Sequence, residues 1–349
     1  LGLATWQRRW LGAQAPRLLA GLAYVALGVI PATFLVGQIG LVGERTIPYL
    51  MGVAVLALGI GVVAWLADRR RRGIGALVGV GFTVGMVTVD VLLGAPLQLN
   101  TAFGYSVAVA GRFTGLGNLA FALFGSATIM LAVLIVDRAG RPGLRVAYAL
   151  LVAAIVLEGL PMLGADVGGV TSMVPAFGVT ALLLADRRVT SRDLCILVAV
   201  TAGVLLGFAF VDAARPSQSQ THLARLAQHL VAGRWSAFAD TLTRRWQASF
   251  GGAELAAWGA VLGVIVVTAL YVVLVALGRA GPEAPRRTGP WVAGAGGLVV
   301  LAVVGLVAND SSIAVPATML LVVVPVVVLQ VLRATPGGIR WTGSAEGAR

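Results

Sequence analysis

Lysine is missing from this chain of 349 residues, so all 26 of its basic residues are arginine. Charge is scarce altogether, because 11% of the residues are charged while 58% are apolar and the mean hydropathy is +0.93. A water-soluble domain could not bury this much hydrocarbon surface, whereas a bilayer can cover it. The composition therefore predicts an integral membrane protein.

Cysteine and recognised chemical motifs are also scarce. The single Cys195 excludes an internal disulfide, and its place near the start of an apolar run predicts a small buried side chain. The sequence has no metal-ligand spacing, phosphate-binding loop, nucleophile elbow or dinucleotide fingerprint. We therefore expect no cofactor and no metal. The net charge of +12 sits between apolar runs, so we expect no nucleic acid partner.

Long apolar runs dominate what remains. They match the roughly 30 Å hydrocarbon core of a bilayer, which about 20 helical residues cross. The 46 glycines fit close helix packing in lipid. The sequence thus predicts an all-α fold, a polytopic transmembrane helix bundle of about ten spans in the cell (plasma) membrane. The predicted spans are 18–40, 48–66, 74–94, 116–136, 144–160, 167–185, 194–211, 255–277, 291–308 and 312–332.

The arginines fix the predicted orientation, because they cluster in alternate connections at 69–72, 138–145, 187–192 and 279–287. By the positive-inside rule these connections and both termini are cytoplasmic. This assignment places 19 arginines and six acids inside, and seven arginines and eight acids outside. The predicted organisation is a cytoplasmic segment 1–17, spans within 18–211, an extracytoplasmic amphipathic loop 212–254, spans within 255–332 and a cytoplasmic tail 333–349.

The start of the chain favours a longer polypeptide. It begins at Leu1 without an initiator methionine or a short cleavable leader. We therefore expect the chain to be the membrane part of a larger protein. The expected partners are the lipid bilayer and an upstream soluble domain or envelope-assembly proteins.

The first candidate site lies in the outer stretch before the fourth predicted span. Arg112 and Asn118 are surrounded there by Gly111, Gly115 and Gly117. A guanidinium beside a glycine-rich helix start can hold phosphate oxygens, so this pattern favours an anion site. The alternative is that Arg112 only snorkels at the interface while the glycines pack helices.

Acidic residues mark further outer positions. Glu158 and Asp166 flank Pro161 in a broken segment, where carboxylates are candidates for a base, a cation ligand or an acceptor-binding group. Alternatively, Asp166 only caps the sixth helix. Asp90 is a candidate of the same kind, or alternatively it forms a structural pair with Arg112. In the turn before the last span, either Asp310 or Ser311 only caps that helix, or Asp310 is part of the site.

The long outer loop supplies the third candidate group. His222, Arg225 and His229 lie on one helical face, and an imidazole with a guanidinium suits proton abstraction from a hydroxyl and diphosphate binding. The alternative reading is the polar face of an amphipathic helix, which we favour for His229.

The stretch from Gly111 to Asn118 resembles a helix start of the O-antigen ligase and polymerase superfamily. The order of the later parts is similar, and the chain is also similar to polytopic envelope membrane proteins of actinobacteria. Unlike the superfamily pattern, the sequence has no proline between Leu116 and Asn118. The resemblance implies that Arg112 and Asn118, with His222 and Arg225 of the loop, hold and process a polyprenyl-linked glycan.

Two main hypotheses follow. The first is an enzyme that transfers or polymerises glycan from a polyprenyl-diphosphate donor on the outer face, with Glu158 or His222 as catalytic base. In it Arg112 and Arg225 bind diphosphate, and Asn118, Asp166 and Asp310 orient the acceptor. The second is a transporter or flippase with an ion-coupled path through Asp90, Glu158 and Asp166. A third reading is a membrane anchor for an upstream soluble domain.

Overall fold

The computed structural model describes residues 15–40, 45–105, 115–216, 220, 289–309, 311 and 313–334. This part of the chain contains nine long helices and a short 3-10 turn at Pro96–Gln98. The helices are α1 (Ala15–Gly37), α2 (Thr46–Arg70), α3 (Ile74–Leu92), α4 (Asn118–Ala139), α5 (Arg141–Gly159), α6 (Val167–Leu184), α7 (Ser191–Ala213), α8 (Pro290–Ala308) and α9 (Ala314–Ala334).

All nine of these described helices are long and apolar enough to cross a membrane. The prediction of an all-α integral membrane protein is therefore confirmed. Each corresponds to one predicted span, and the remaining predicted span, 255–277, lies outside the described residues.

Helix α4 forms the centre of the bundle and packs against α3, α5, α8 and α9. Its large side chains, such as Phe121, Phe124 and Ile129, are fully buried. The polar side chains in its middle are Ser126 and Thr128, whose hydroxyls donate to carbonyl oxygens of the preceding turn at 2.7 Å. These two buried hydroxyl groups therefore find their acceptors within α4 itself.

Helix α7 lies at the edge of the bundle, packed mainly against α6. Cys195 on this helix is exposed, as are its apolar neighbours Leu194 and Ile196. The prediction that Cys195 is buried is therefore wrong. Cys195 is exposed because lipid can cover the outer face of a peripheral transmembrane helix, so an apolar run does not require burial in protein.

The short turns between helices give the bundle two distinct ends. The arginine-rich end, as we call it, carries the α2–α3, α4–α5 and α6–α7 turns and the C-terminus of α9, and it holds Arg69–Arg72 and Arg333. The Glu158 end is opposite and carries the α5–α6 and α8–α9 connections and the start of α4. The predicted separation of arginine clusters from the candidate acids agrees with this arrangement.

Small residues let α6 and α8 approach closely. A Cβ atom at Gly297 of α8 would collide with the Thr180 hydroxyl and lie 3.1 Å from the Ala176 carbonyl oxygen, both on α6. Glycine is therefore required at this crossing, as expected for helices whose association depends on close packing.

We expect Gly297→Ala to destabilise the folded bundle by about 1–3 kcal/mol, because the added methyl forces α6 and α8 apart. The free energy of unfolding in mixed detergent micelles measures the effect. Gly203→Ala is the matched control, since a Cβ atom at Gly203 on α7 would meet no neighbouring atom within 4 Å. Equal stability of the two variants would contradict the close α6–α8 contact.

Candidate functional site at the Glu158 end

The α5–α6 connection, residues 160–166, is irregular but firmly held. Two of its N–H groups bond back to the end of α5: the Gly164 N–H donates to the Leu157 carbonyl at 2.9 Å, and the Asp166 N–H donates to the Glu158 carbonyl at 3.1 Å. From outside it, the Leu116 N–H donates to the Gly164 carbonyl at 2.9 Å. The connection and the start of α4 therefore form one structured unit, and non-helical backbone at this end is satisfied by protein.

Glu158 is the penultimate residue of α5 and is fully buried. A Cβ atom at Gly169 of α6 would collide with Glu158 Oε1 and lie 2.9 Å from its carboxyl carbon. The same Cβ atom would lie 3.0 Å from Asp166 Oδ2. The structure thus brings Glu158 and Asp166, two of the predicted site residues, against one glycine at the start of α6.

Asp166 is the N-cap of α6, and its Oδ1 accepts a hydrogen bond from the Gly168 N–H at 3.0 Å. Asp166 therefore has the helix-capping role that was one of its two predicted roles. Capping engages its Oδ1, while its Oδ2 faces Gly169 near Glu158. Asp166 can cap the helix and also contribute charge to the site. The positive end of the α6 dipole favours negative charge at this position.

Asn118 begins α4 and also points into this end of the bundle. Its side-chain amide donates to the Ser311 hydroxyl at 2.8 Å, and the Ser311 N–H donates to Asn309 Oδ1 at 3.3 Å. The buried Asn309 amide nitrogen lies beside Gly168. A polar chain therefore leads from Asn118 across the α8–α9 connection to the start of α6.

Asp90 has a different role in the described structure. Its carboxylate accepts from the Leu97 N–H at 2.7 Å and from the Gln98 side-chain amide at 2.8 Å. It thereby fixes the turn after α3, from which the chain continues to the Arg112 stretch. This supports a structural role for Asp90 and not membership of the Glu158–Asp166 pair.

A partly buried ion pair at the end of α7 supports the α5–α6 connection. Asp212 is fully buried and pairs with Arg215 at 3.2 Å, while Arg215 Nη1 donates to the Pro161 carbonyl at 3.1 Å. Sequence reasoning missed this pair, and it gave Asn309 and Ser311 no place in the predicted site. The i, i+3 spacing of opposite charges was the available signal for Asp212 and Arg215.

Several predicted site residues lie outside the described part of the chain. These are Arg112, His222, Arg225, His229 and Asp310. Most of the predicted outer loop 212–254 lies outside it as well. Of the predicted site, the structure therefore places Glu158, Asp166 and Asn118, all at one end of the bundle.

The described arrangement suits proton transfer and polar recognition. Two carboxylates share a buried position at a helix N-terminus, with amide and hydroxyl groups leading to it. Asp166 also lines a narrow crevice against Leu205 and Phe208 of α7. Ionisable groups placed this way in a membrane protein are expensive, which favours a functional role over a packing role.

Comparison with known proteins gives no assignment for this geometry: no protein-family model, curated protein or solved structure matches the chain.

Proposed function

We propose that this integral membrane protein is a transferase that acts on a polyprenyl-diphosphate-linked glycan at the Glu158 end, on the outer face of the plasma membrane. The observation that carries the proposal is the convergence of the Glu158 and Asp166 carboxylates on Gly169. It is supported by the Asn118–Ser311–Asn309 chain, which leads to the same end.

In the proposed reaction an acceptor hydroxyl attacks the anomeric carbon of the donor sugar. The bond between that carbon and the diphosphate oxygen breaks, and polyprenyl diphosphate leaves with the bonding electron pair. The hydroxyl proton passes to the Glu158 carboxylate, with His222 as the alternative base. Asp166, Asn118 and Asp310 orient the acceptor, while Arg112 and Arg225 bind the diphosphate.

The distribution of charge favours a transferase over an ion-coupled transporter. In the described helices every acidic and basic side chain lies within the first or last few residues of its helix. Helix α4, which fills the centre, carries no ionisable residue between Asn118 and Asp137. An ion-coupled path is expected to show ionisable groups at intermediate depth. Within the described helices the interior holds hydroxyls such as Ser126 and Thr128 at that depth, but no acidic or basic side chain.

Replacement of Arg112 with glutamine tests the proposed diphosphate site. We expect glycan incorporation to fall about tenfold or more, because a charge-assisted hydrogen bond to phosphate contributes roughly 1.5–3 kcal/mol. The measurement is incorporation of radiolabelled sugar by membranes containing the full chain. Arg141→Gln, an exposed arginine at the other end, is the control. Normal incorporation by Arg112→Gln at normal abundance argues against the proposal.

A further inference from the structure

A cavity of about 420 Å³ opens at the arginine-rich end, far from the proposed transfer site. It lies between the C-termini of α2, α4 and α9 and the start of α3. The charged and backbone groups that line it are Asp68, Arg72, Gly73, Asp137, Arg138 and Arg333. Three guanidinium groups thus surround one opening.

Arg333 is held deep in the wall of this cavity, with a side chain that is 19% exposed. Its Nη2 donates to Asp68 Oδ1 at 2.7 Å and to the Tyr24 hydroxyl at 3.2 Å. Its Nη1 is buried and has no hydrogen-bond partner within the described ranges. A buried guanidinium nitrogen without an acceptor is costly, and the described residues leave this one unsatisfied.

The two acids of the cavity are already engaged by donors from the protein. Asp68 Oδ1 accepts from the Gly73 N–H at 2.9 Å and the Gly75 N–H at 3.1 Å, besides Arg333. Asp137 accepts from the indole nitrogen of Trp291 at 3.2 Å. Three guanidinium groups against two carboxylates nevertheless leave the lining with a net positive charge.

Arg72 and Arg138 supply that remaining charge. Neither makes an ion pair with a described residue. Arg138 is directed across the opening, since its Nη1 donates to the Arg72 carbonyl at 2.8 Å. The positive-inside rule accounts for an excess of arginines in cytoplasmic connections, but it does not account for arginines held around a cavity. Their arrangement therefore needs another explanation.

Tryptophans indicate the depth of the cavity. Trp291 is the second residue of α8 and donates to the cavity residue Asp137, and Arg69 lies 4.8 Å over the Trp65 ring near the end of α2. Tryptophan is enriched at the level of lipid headgroups. The two tryptophans at this end are thus what is expected of a cavity at the level of lipid headgroups.

We propose that this cavity binds a phosphate group through Arg72, Arg138 and Arg333. Guanidinium groups match phosphate oxygens with paired, charge-assisted hydrogen bonds. The shared chemistry is a phosphate mono- or diester, carried by an anionic lipid headgroup or by a soluble phosphate compound. The site is independent of the activity proposed for the opposite end.

The experiment uses the full chain in nanodiscs and compares two double variants of equal charge. Arg72→Gln with Arg138→Gln removes the two cavity arginines that make no ion pair with a described residue, and leaves Arg333 in place because it pairs with the buried Asp68. Arg141→Gln with Arg145→Gln removes two exposed arginines of the same end that do not line it. Probes are phosphatidylglycerol, phosphatidic acid, phosphatidylcholine and inorganic phosphate, with lipid retention read by native mass spectrometry and phosphate binding by calorimetry.

We expect the wild type to retain an anionic lipid over phosphatidylcholine, and the cavity variant to lose roughly tenfold of that preference. The Arg141/Arg145 variant should keep it. If inorganic phosphate binds the wild type but not the cavity variant, without any lipid preference, the site takes a soluble phosphate. Equal losses in the two double variants, or equal binding by the wild type and the cavity variant, overturn the proposal.

Discussion

Glycan transfer is expected to fall by about a hundredfold or more when Glu158 is replaced with glutamine, because general base catalysis typically contributes about 10²–10⁴ in rate. Glutamine keeps the size of the side chain but cannot accept the acceptor's proton. Glu158 is fully buried beside Gly169, so the nearly isosteric change leaves the packing around it intact. The loss should therefore appear in the rate of transfer and not in the abundance of the protein.

The measurement is single-turnover transfer from a synthetic polyprenyl-diphosphate sugar by the purified full chain. Asp186→Asn is the matched control, since it makes the same carboxylate-to-amide change at an exposed turn of the arginine-rich end. Asp186 has a positive φ of 57°, a conformation that asparagine tolerates well. Wild-type transfer by Glu158→Gln would exclude Glu158 as the base and leave His222 as the remaining candidate.

Hydropathy predicted the helices well because lipid imposes one strong rule, an apolar run of sufficient length. It predicted their ends less well. Helix α2 continues to Arg70, four residues past the predicted limit of 66, and includes the buried Asp68. A hydropathy window ends where charge begins, whereas the helix continues through Asp68, whose charge is paired with Arg333 from the other end of the sequence.

The start of α4 gives a second example. The predicted span begins at 116, whereas the helix begins at Asn118. The Leu116 N–H is instead bonded to the Gly164 carbonyl, a contact between segments far apart in the sequence. Local apolar character cannot reveal such a bond, so the boundary depends on tertiary structure.

The candidate site was predictable only in part for the same reason. Glu158 and Asp166 lie eight residues apart around Pro161, and their shared position follows from a short turn. Asn309 and Ser311 reach the site from the α8–α9 connection, which is distant in the sequence, and neither carries a charge that marks it as a site residue. Helix packing decides which helix ends become neighbours, and the local patterns of a single sequence do not reveal that packing.

Gly169 packs directly against the carboxylates of the proposed site. We expect Gly169→Ala to destabilise the fold by about 1–3 kcal/mol, because the methyl would collide with the Glu158 carboxylate and crowd Asp166. Transfer should fall as well, since the carboxylate must move. The control Gly203→Ala, at an open helical position, should be neutral or stabilising by about 0.5–1 kcal/mol.

A double-mutant cycle separates this local collision from a general loss of helix packing. Glu158→Ala removes the carboxylate that the new methyl would meet, so Gly169→Ala should cost less in that background than in the wild type. The free energy of unfolding of all four proteins, measured in the same mixed micelles, gives the coupling. A coupling of zero would mean that the Glu158 carboxylate does not lie against Gly169, and the shared position of the two acids would have to be abandoned. A coupling of about 1 kcal/mol or more would place the carboxylate at the start of α6 independently of any assay of activity.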